Sequence, residues 1–217
     1  KISQKIKKEM SLKLKVEDKT LCPRYQAIVI DNVKIKESPD WLKKRIEASG
    51  MNSINNVVDA TNYVLLEYGQ PTHVFDYDKI EGKIIIIRKA KNKEEITTLG
   101  GGKYKLAHSN LVIADAKNPI AIAGVKGGIK AEVTKKTKTI VIESANFEPY
   151  SIRKTARFLD LRTDASALFE KGLNIYSTNP ALLRVAQLIQ ELAKGEVSST
   201  VFDTLEKEVK LNKIKFN

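Results

Sequence analysis

Hydrophobic periodicity switches twice along this chain, from helical to strand spacing and back, and that order limits what the chain can fold into. Residues 38–49 and 55–68 carry apolar side chains at three- and four-residue intervals, the stripe of an amphipathic helix. Ser38-Pro39 opens the first predicted helix and Gly50 stops it. Val57, Val58, Thr61, Val64 and Leu65 line one face of the second, which Gly69 and Pro71 end. Short runs of strand composition follow at 84–88, 96–99, 104–106, 111–114, 120–125 and 139–144, in addition to 11–16 and 24–35 near the start. Helical spacing returns at 149–158, 164–171 and 180–194, with Gly195 after the last. A helix pair, a block of strands and a helix group in that order predict α+β, with sheets packed against helices and no regular alternation of the two.

The strong patterns all fall within residues 22–195, the expected main domain. Residues 1–21 are charged and weakly alternating and read as a connector from a preceding domain. Residues 196–217 alternate polar and apolar side chains without turn chemistry, as a strand running into a linker toward a following domain. Cys22 is the only cysteine, which excludes an intrachain disulfide and the usual cysteine-based zinc sites and points to a cytoplasmic location. No apolar run approaches the roughly 20 residues needed to cross a bilayer. Lysine and arginine number 38 against 26 acidic residues, a net charge of +12. That excess favours a polyanionic partner, and is also what a lysine-rich solvated surface gives.

The common catalytic signatures are absent: no phosphate-binding loop, dinucleotide glycine fingerprint, metalloprotease helix or nucleophile elbow occurs. Gly100-Gly101-Gly102 lies between two strand runs and reads as a hairpin turn. The segment INNVVDATNYVLLEYGQPTHVFD, residues 54–76, sets Asn55, Asn56, Asp59, Thr61, Asn62 and His73 within an apolar run. Some of these must be buried, and buried polar groups need partners, either as structural hydrogen bonds or in a ligand pocket.

Other motifs give that segment a context. CPRY at 22–25, LVIAD at 111–115, AGVKGG at 123–128, IESANF at 142–147 and SIRKTARFLDLRTDASALFEKG at 151–172, together with 54–76, resemble the central editing domain of the bacterial phenylalanyl-tRNA synthetase beta subunit. The resemblance implies two interleaved subdomains with mixed and mostly antiparallel sheets, and between them an editing cleft that hydrolyses tyrosine wrongly esterified to tRNA(Phe). It implies the alpha subunit and tRNA(Phe) as partners, in a heterotetramer of two alpha and two beta subunits, and no membrane. ATP and magnesium would serve aminoacylation in the complete synthetase, and no cofactor is expected in this segment. Motif by motif, the pocket carries over to Thr61 and Asn62 in VDATNY, His73 in QPTHVFD, Gly124 in AGVKGG, Glu143 in VIESANF, and Thr163 and Ala165 in RTDAS. Lys126 departs from the methionine common in that family.

These residue types suit ester hydrolysis with recognition of a phenol. A pocket shaped for phenylalanine rejects tyrosine poorly, so a second site must read the hydroxyl directly, and a carboxylate such as Glu143 is a strong acceptor for it. His73 and Thr163 are the expected catalytic groups, His73 to orient or deprotonate water and Thr163 to position the ester. Thr61, Asn62, Gly124, Glu143 and Ala165 are expected to bind substrate. Thr163→Val is expected to disturb the ester while leaving folding nearly intact. Each residue also has a plainer role: Glu143 on the wet face of an alternating strand, His73 as a structural hydrogen-bonder, Gly124 and Ala165 in tight packing. Two other functions stand beside editing, a non-catalytic tRNA-docking or subunit-scaffolding module and a free-standing aminoacyl-tRNA deacylase.

Overall fold

The computed structural model of the chain describes Ile6 and residues 9–205. Its first sheet is wholly antiparallel. β2 (Arg24–Asp31) pairs with β10 (Ile140–Asn146) on one side and with β11 (Glu196–Val197) and β12 (Phe202–Asp203) on the other, and β3 (Thr72–Asp76) forms the edge beside β10. The second sheet is mixed and runs β1 (Lys13–Val16), β4 (Ile84–Lys89), β7 (Leu111–Ala114), β8 (Pro119–Ile122), β9 (Lys126–Gly127), with β1 parallel to β4 and the other pairs antiparallel. A hairpin of β5 (Glu95–Thr97) and β6 (Lys103–Lys105) turns at the triple glycine, where the Gly101 N–H donates to the Thr98 carbonyl at 2.9 Å. All of β4 to β9 lies between β3 and β10 in the chain, so the two sheets interleave in sequence. With the helices below, this is the α+β architecture that the hydrophobic periodicity predicts.

Period-two alternation assigns the faces of the first sheet. Tyr25, Ala27, Val29, Phe75 and Val141 share a core with Ile85, Ile87 and Ile113 of the second sheet. Ile28, Ile30, Val74, Ile140 and Ile142 point the other way, onto α2 (Val58–Tyr68) and α5 (Thr178–Ala193), where Val64, Leu182, Val185 and Ile189 receive them. Burial on both faces is why the centre of β2, residues 27–30, reads in the sequence as an unbroken apolar run. α1 (Asp40–Ala48) packs on α2, and α3 (Pro149–Phe158) packs on α4 (Asp164–Phe169).

Element boundaries follow local chemistry. Glu148 caps α3, its carboxylate accepting from the N–H groups of Tyr150 and Ser151. The helix expected from Asn55 begins three residues later, because Asn55 lies before it and its Oδ1 accepts from Val57 and Val58 N–H at 3.0 and 2.9 Å. β2 stops at Asp31, short of the expected residue 35, where Asn32 turns the chain with φ 56°. β3 has no counterpart among the predicted strands: five residues straight after the Gly69–Pro71 turn are too few to display a period. Within the two expected flanking segments, β1 pairs with β4, and β11 and β12 pair with β2. The rest of the 196–217 reading, residues 206–217, lies outside the described residues, as do residues 1–5, 7 and 8. Among the described residues no helix is long and apolar enough to cross a membrane.

Candidate functional site

Where β3, the edge of the first sheet, approaches β9, the edge of the second, a cleft of about 690 Å³ is walled by α2, the start of α4 and the β5–β6 turn. It adjoins an inner chamber of about 80 Å³, room for about five waters or a ring-sized group. Thr61, Asn62 and Thr163 line the cleft, Gly124 and Glu143 line the chamber, and His73 and Ala165 line both. The seven residues carried over from sequence motifs are thus brought together around adjoining spaces.

Glu143 is on the core-facing side of β10, opposite His73 on β3 and Ala27 on β2. It is 7% exposed, so the wet-face alternative for this strand position does not hold. The fully buried Tyr25 donates its phenol hydrogen to Glu143 Oε2 at 2.6 Å. Burial pushes the Glu143 carboxyl up to about 7, against the Tyr25 hydrogen bond, which holds it down. The Tyr25 phenol is raised well above its usual range, first by burial and then by the neighbouring carboxylate.

The His73 ring stands edge-on to Phe75, centroids 4.7 Å apart, and desolvation lowers its pKa to about 4. The imidazole is therefore neutral near pH 7. A neutral imidazole carries one N–H and one free lone pair, the groups that holding a water requires. A Cβ on Gly127 would lie 2.7 Å from the His73 ring, so only glycine on β9 admits the ring here. Gly127 and Tyr25 are site residues that sequence reasoning passed over. The signal available for Gly127 was its place in AGVKGG, and that for Tyr25 its place in CPRY.

Both threonine hydroxyls are committed within the protein. Thr61 Oγ1 donates to the Val58 carbonyl at 2.6 Å, one turn back in α2. Thr163 is the N-cap of α4: Oγ1 accepts from Ser166 N–H and donates to the Val125 carbonyl at 2.8 Å, while the Thr163 N–H donates to Ser166 Oγ. Thr163 thus fastens α4 to the β8–β9 turn. Gly124, with φ 66°, occupies that turn, and a Cβ there would meet Ile152 Cδ1 at 2.8 Å. Close packing accounts for this glycine alongside its place in the chamber wall.

The polar residues of 54–76 divide between structure and cleft. Asn56 is fully buried and bonded to the backbone of Lys34, Lys36 and Leu192. Asp59, equally buried, accepts from Ser38 Oγ, Ser53 Oγ and Ile54 N–H, pinning the 50–55 loop that walls the cleft. Asn55, Thr61, Asn62 and His73 are the cleft members. Lys126 also lines both spaces, is the only lysine or arginine in either lining among the described residues, and holds its ammonium beside Gly100.

Comparison with known proteins bears on this arrangement. The B3/4 domain family model matches residues 21–194. The phenylalanine–tRNA ligase beta subunit of Dehalococcoides mccartyi (strain CBDB1) is 50% identical over 203 residues, covering 94% of this chain and 25% of that protein. The beta subunit from Fusobacterium nucleatum is 49% identical over 211 residues, 95% of this chain and 26% of its own. The chain spans about a quarter of the length of the curated relatives it matches. Among solved structures, an N-terminal fragment of the phenylalanyl-tRNA synthetase beta subunit from Pyrococcus horikoshii superposes with a TM-score of 0.59 at 13% identity, covering 91% of this chain and 55% of the fragment. At that identity the likeness concerns the fold alone.

Proposed function

Since the chain belongs to the B3/4 domain family, we propose that it is the editing portion of a phenylalanine–tRNA ligase beta subunit, hydrolysing the ester of tyrosine mischarged onto tRNA(Phe). The observation that carries this reading is Glu143: a buried carboxylate at a chamber of ring size, already accepting a hydrogen bond from one phenol at 2.6 Å. A second phenol, that of the tyrosyl ester, meets an acceptor that phenylalanine would leave without a partner, which is how such a site discriminates.

In the cleft, the ester lies between His73 and Asn62, whose side chains hold the attacking water by hydrogen bonds. Lys126 supplies the positive charge in the lining, available to the oxyanion or to the terminal phosphate. Thr61 and Thr163 act by shaping α2 and α4 around the ester. The alpha subunit, tRNA(Phe), and the ATP and magnesium of aminoacylation belong to the whole cytoplasmic ligase on this reading.

The test is deacylation of tyrosyl-tRNA(Phe) and phenylalanyl-tRNA(Phe) by the assembled two-subunit enzyme. Glu143→Ala is expected to lower the tyrosine-over-phenylalanine preference by about 10- to 100-fold, the range of one hydrogen bond to a charged group. An unchanged preference would remove Glu143 from recognition, and no release by the parent enzyme would leave a tRNA-docking or scaffolding module.

A further inference from the structure

Resting on that reading of Glu143 as phenol acceptor, we propose that Tyr25 is a positioning residue of the recognition site: its buried hydroxyl fixes the Glu143 carboxylate so that Oε1 is presented to the chamber while Oε2 is held.

The geometry is specific. Tyr25 lies on β2 diagonally across from Glu143, whose direct partner on that strand is Ala27. Alanine at 27 leaves the room through which the Tyr25 hydroxyl reaches Oε2 at 2.6 Å. Among the described residues this is the only hydrogen bond that the Glu143 carboxylate accepts. A glutamate side chain has three rotatable bonds, and fixing them in advance spares that ordering when ligand binds. A full complement of donors would fix the carboxylate as well but leave nothing for a ligand. One donor on one oxygen holds the group and leaves the other oxygen for a phenol.

The electrostatics fit the same role. The groups facing Glu143 from the elements around it are Tyr25 on β2, His73 on β3 and Cys22 before β2, while Lys126 on β9 lines the same chamber with its ammonium beside Gly100. His73 is neutral above about pH 4, and Cys22 is buried with its thiol pushed up. Tyr25 is the partner that stabilises the charged carboxylate against burial. Recognition of a phenol needs that charge, so Tyr25 extends recognition to lower pH than burial alone would allow.

The experiment is an isotope-edited infrared titration of the Glu143 carboxyl in the 217-residue chain, with Glu143→Gln to identify the band, paired with deacylation by the assembled ligase across pH. Tyr25→Phe is expected to raise the Glu143 midpoint by about 1 pH unit or more, the equivalent of one hydrogen bond to a charged group. Deacylation preference for the tyrosyl ester is expected to move to higher pH by the same amount. A purely structural tyrosine would alter rates without moving the midpoint. Incorporation of 3-fluorotyrosine at position 25 keeps the shape and strengthens the donor, so it is expected to lower the midpoint even if Tyr25→Phe fails to fold. An unmoved midpoint in the folded variants overturns the proposal. If the midpoint moves but the parent ligase releases neither ester, the editing reading falls and the hold of Tyr25 on Glu143 stands.

Discussion

Two buried carboxylates stand in contrasting surroundings. Asp59, in the first turn of α2, accepts from two serine hydroxyls and a backbone N–H, while Glu143, on β10, accepts from one phenol. Both are nearly removed from water. The difference lies in saturation: Asp59 has both carboxylate oxygens engaged, by Ser38, Ser53 and Ile54, whereas Glu143 has one of its two engaged. A buried polar group with all its partners holds a structure together, whereas one with too few, at the wall of a cavity, is poised for a ligand.

The largest effect expected from this contrast is at Asp59. Asp59→Ala leaves three donors without an acceptor and frees the cleft-wall loop, at a cost of about 4 kcal/mol, read from urea unfolding. A loss under about 1 kcal/mol would break the distinction, since a saturated carboxylate would then be dispensable.

Next in size is a pH effect at Glu143. It titrates near 7 in the fold against a usual 4.5, so the folded state holds the extra proton and stability falls as pH rises between those values. His73 titrates near 4 against a usual 6.5. There the unfolded state holds the extra proton, and stability falls as pH drops from 6.5 to 4. The two slopes oppose each other, and Glu143→Gln removes one of them. Relative to the parent, the variant is expected to gain about 3 kcal/mol as pH rises from 4.5 to 7, seen as a growing difference in urea midpoints. A flat difference across that window would mean that Glu143 is solvated and the contrast with Asp59 is void.

Smallest is Thr163→Val. Loss of the cap and of the bond to Val125 is expected to cost about 1 kcal/mol and to slow deacylation of tyrosyl and phenylalanyl esters alike. Selective loss of one ester would return Thr163 to direct substrate contact and sharpen the line between saturated and unsaturated groups.

Much of this was legible in the sequence, for reasons that can be named. The bounds of α3 follow from Glu148-Pro149, a cap and a first-turn proline. Glycines mark the ends of α1 and α2, whereas at the end of α5 the left-handed residue is Lys194, and Gly195 is needed because a Cβ would strike Ile30. The positions of the site came from motif resemblance, and the structure gathers them around the cleft and its adjoining chamber. Their division of labour was not legible, because it depends on pairings distant in sequence. Nothing near Thr163 announces Val125 as its acceptor, and nothing near Glu143 announces Tyr25. β3 was invisible as a strand although it carries His73, since only β10 beside it gives it a sheet to join.

The pairing of β2 with β10 also has a temporal side. These strands are about 110 residues apart, and β2 gains its remaining neighbours only from β11 and β12, later still. At roughly 5–20 residues per second of synthesis, β2 emerges about 5–20 s before β10 can cover it. A strand apolar on both faces must spend that interval unpaired, so the nascent chain passes through a window in which chaperone capture and misassociation compete with closure of the cleft.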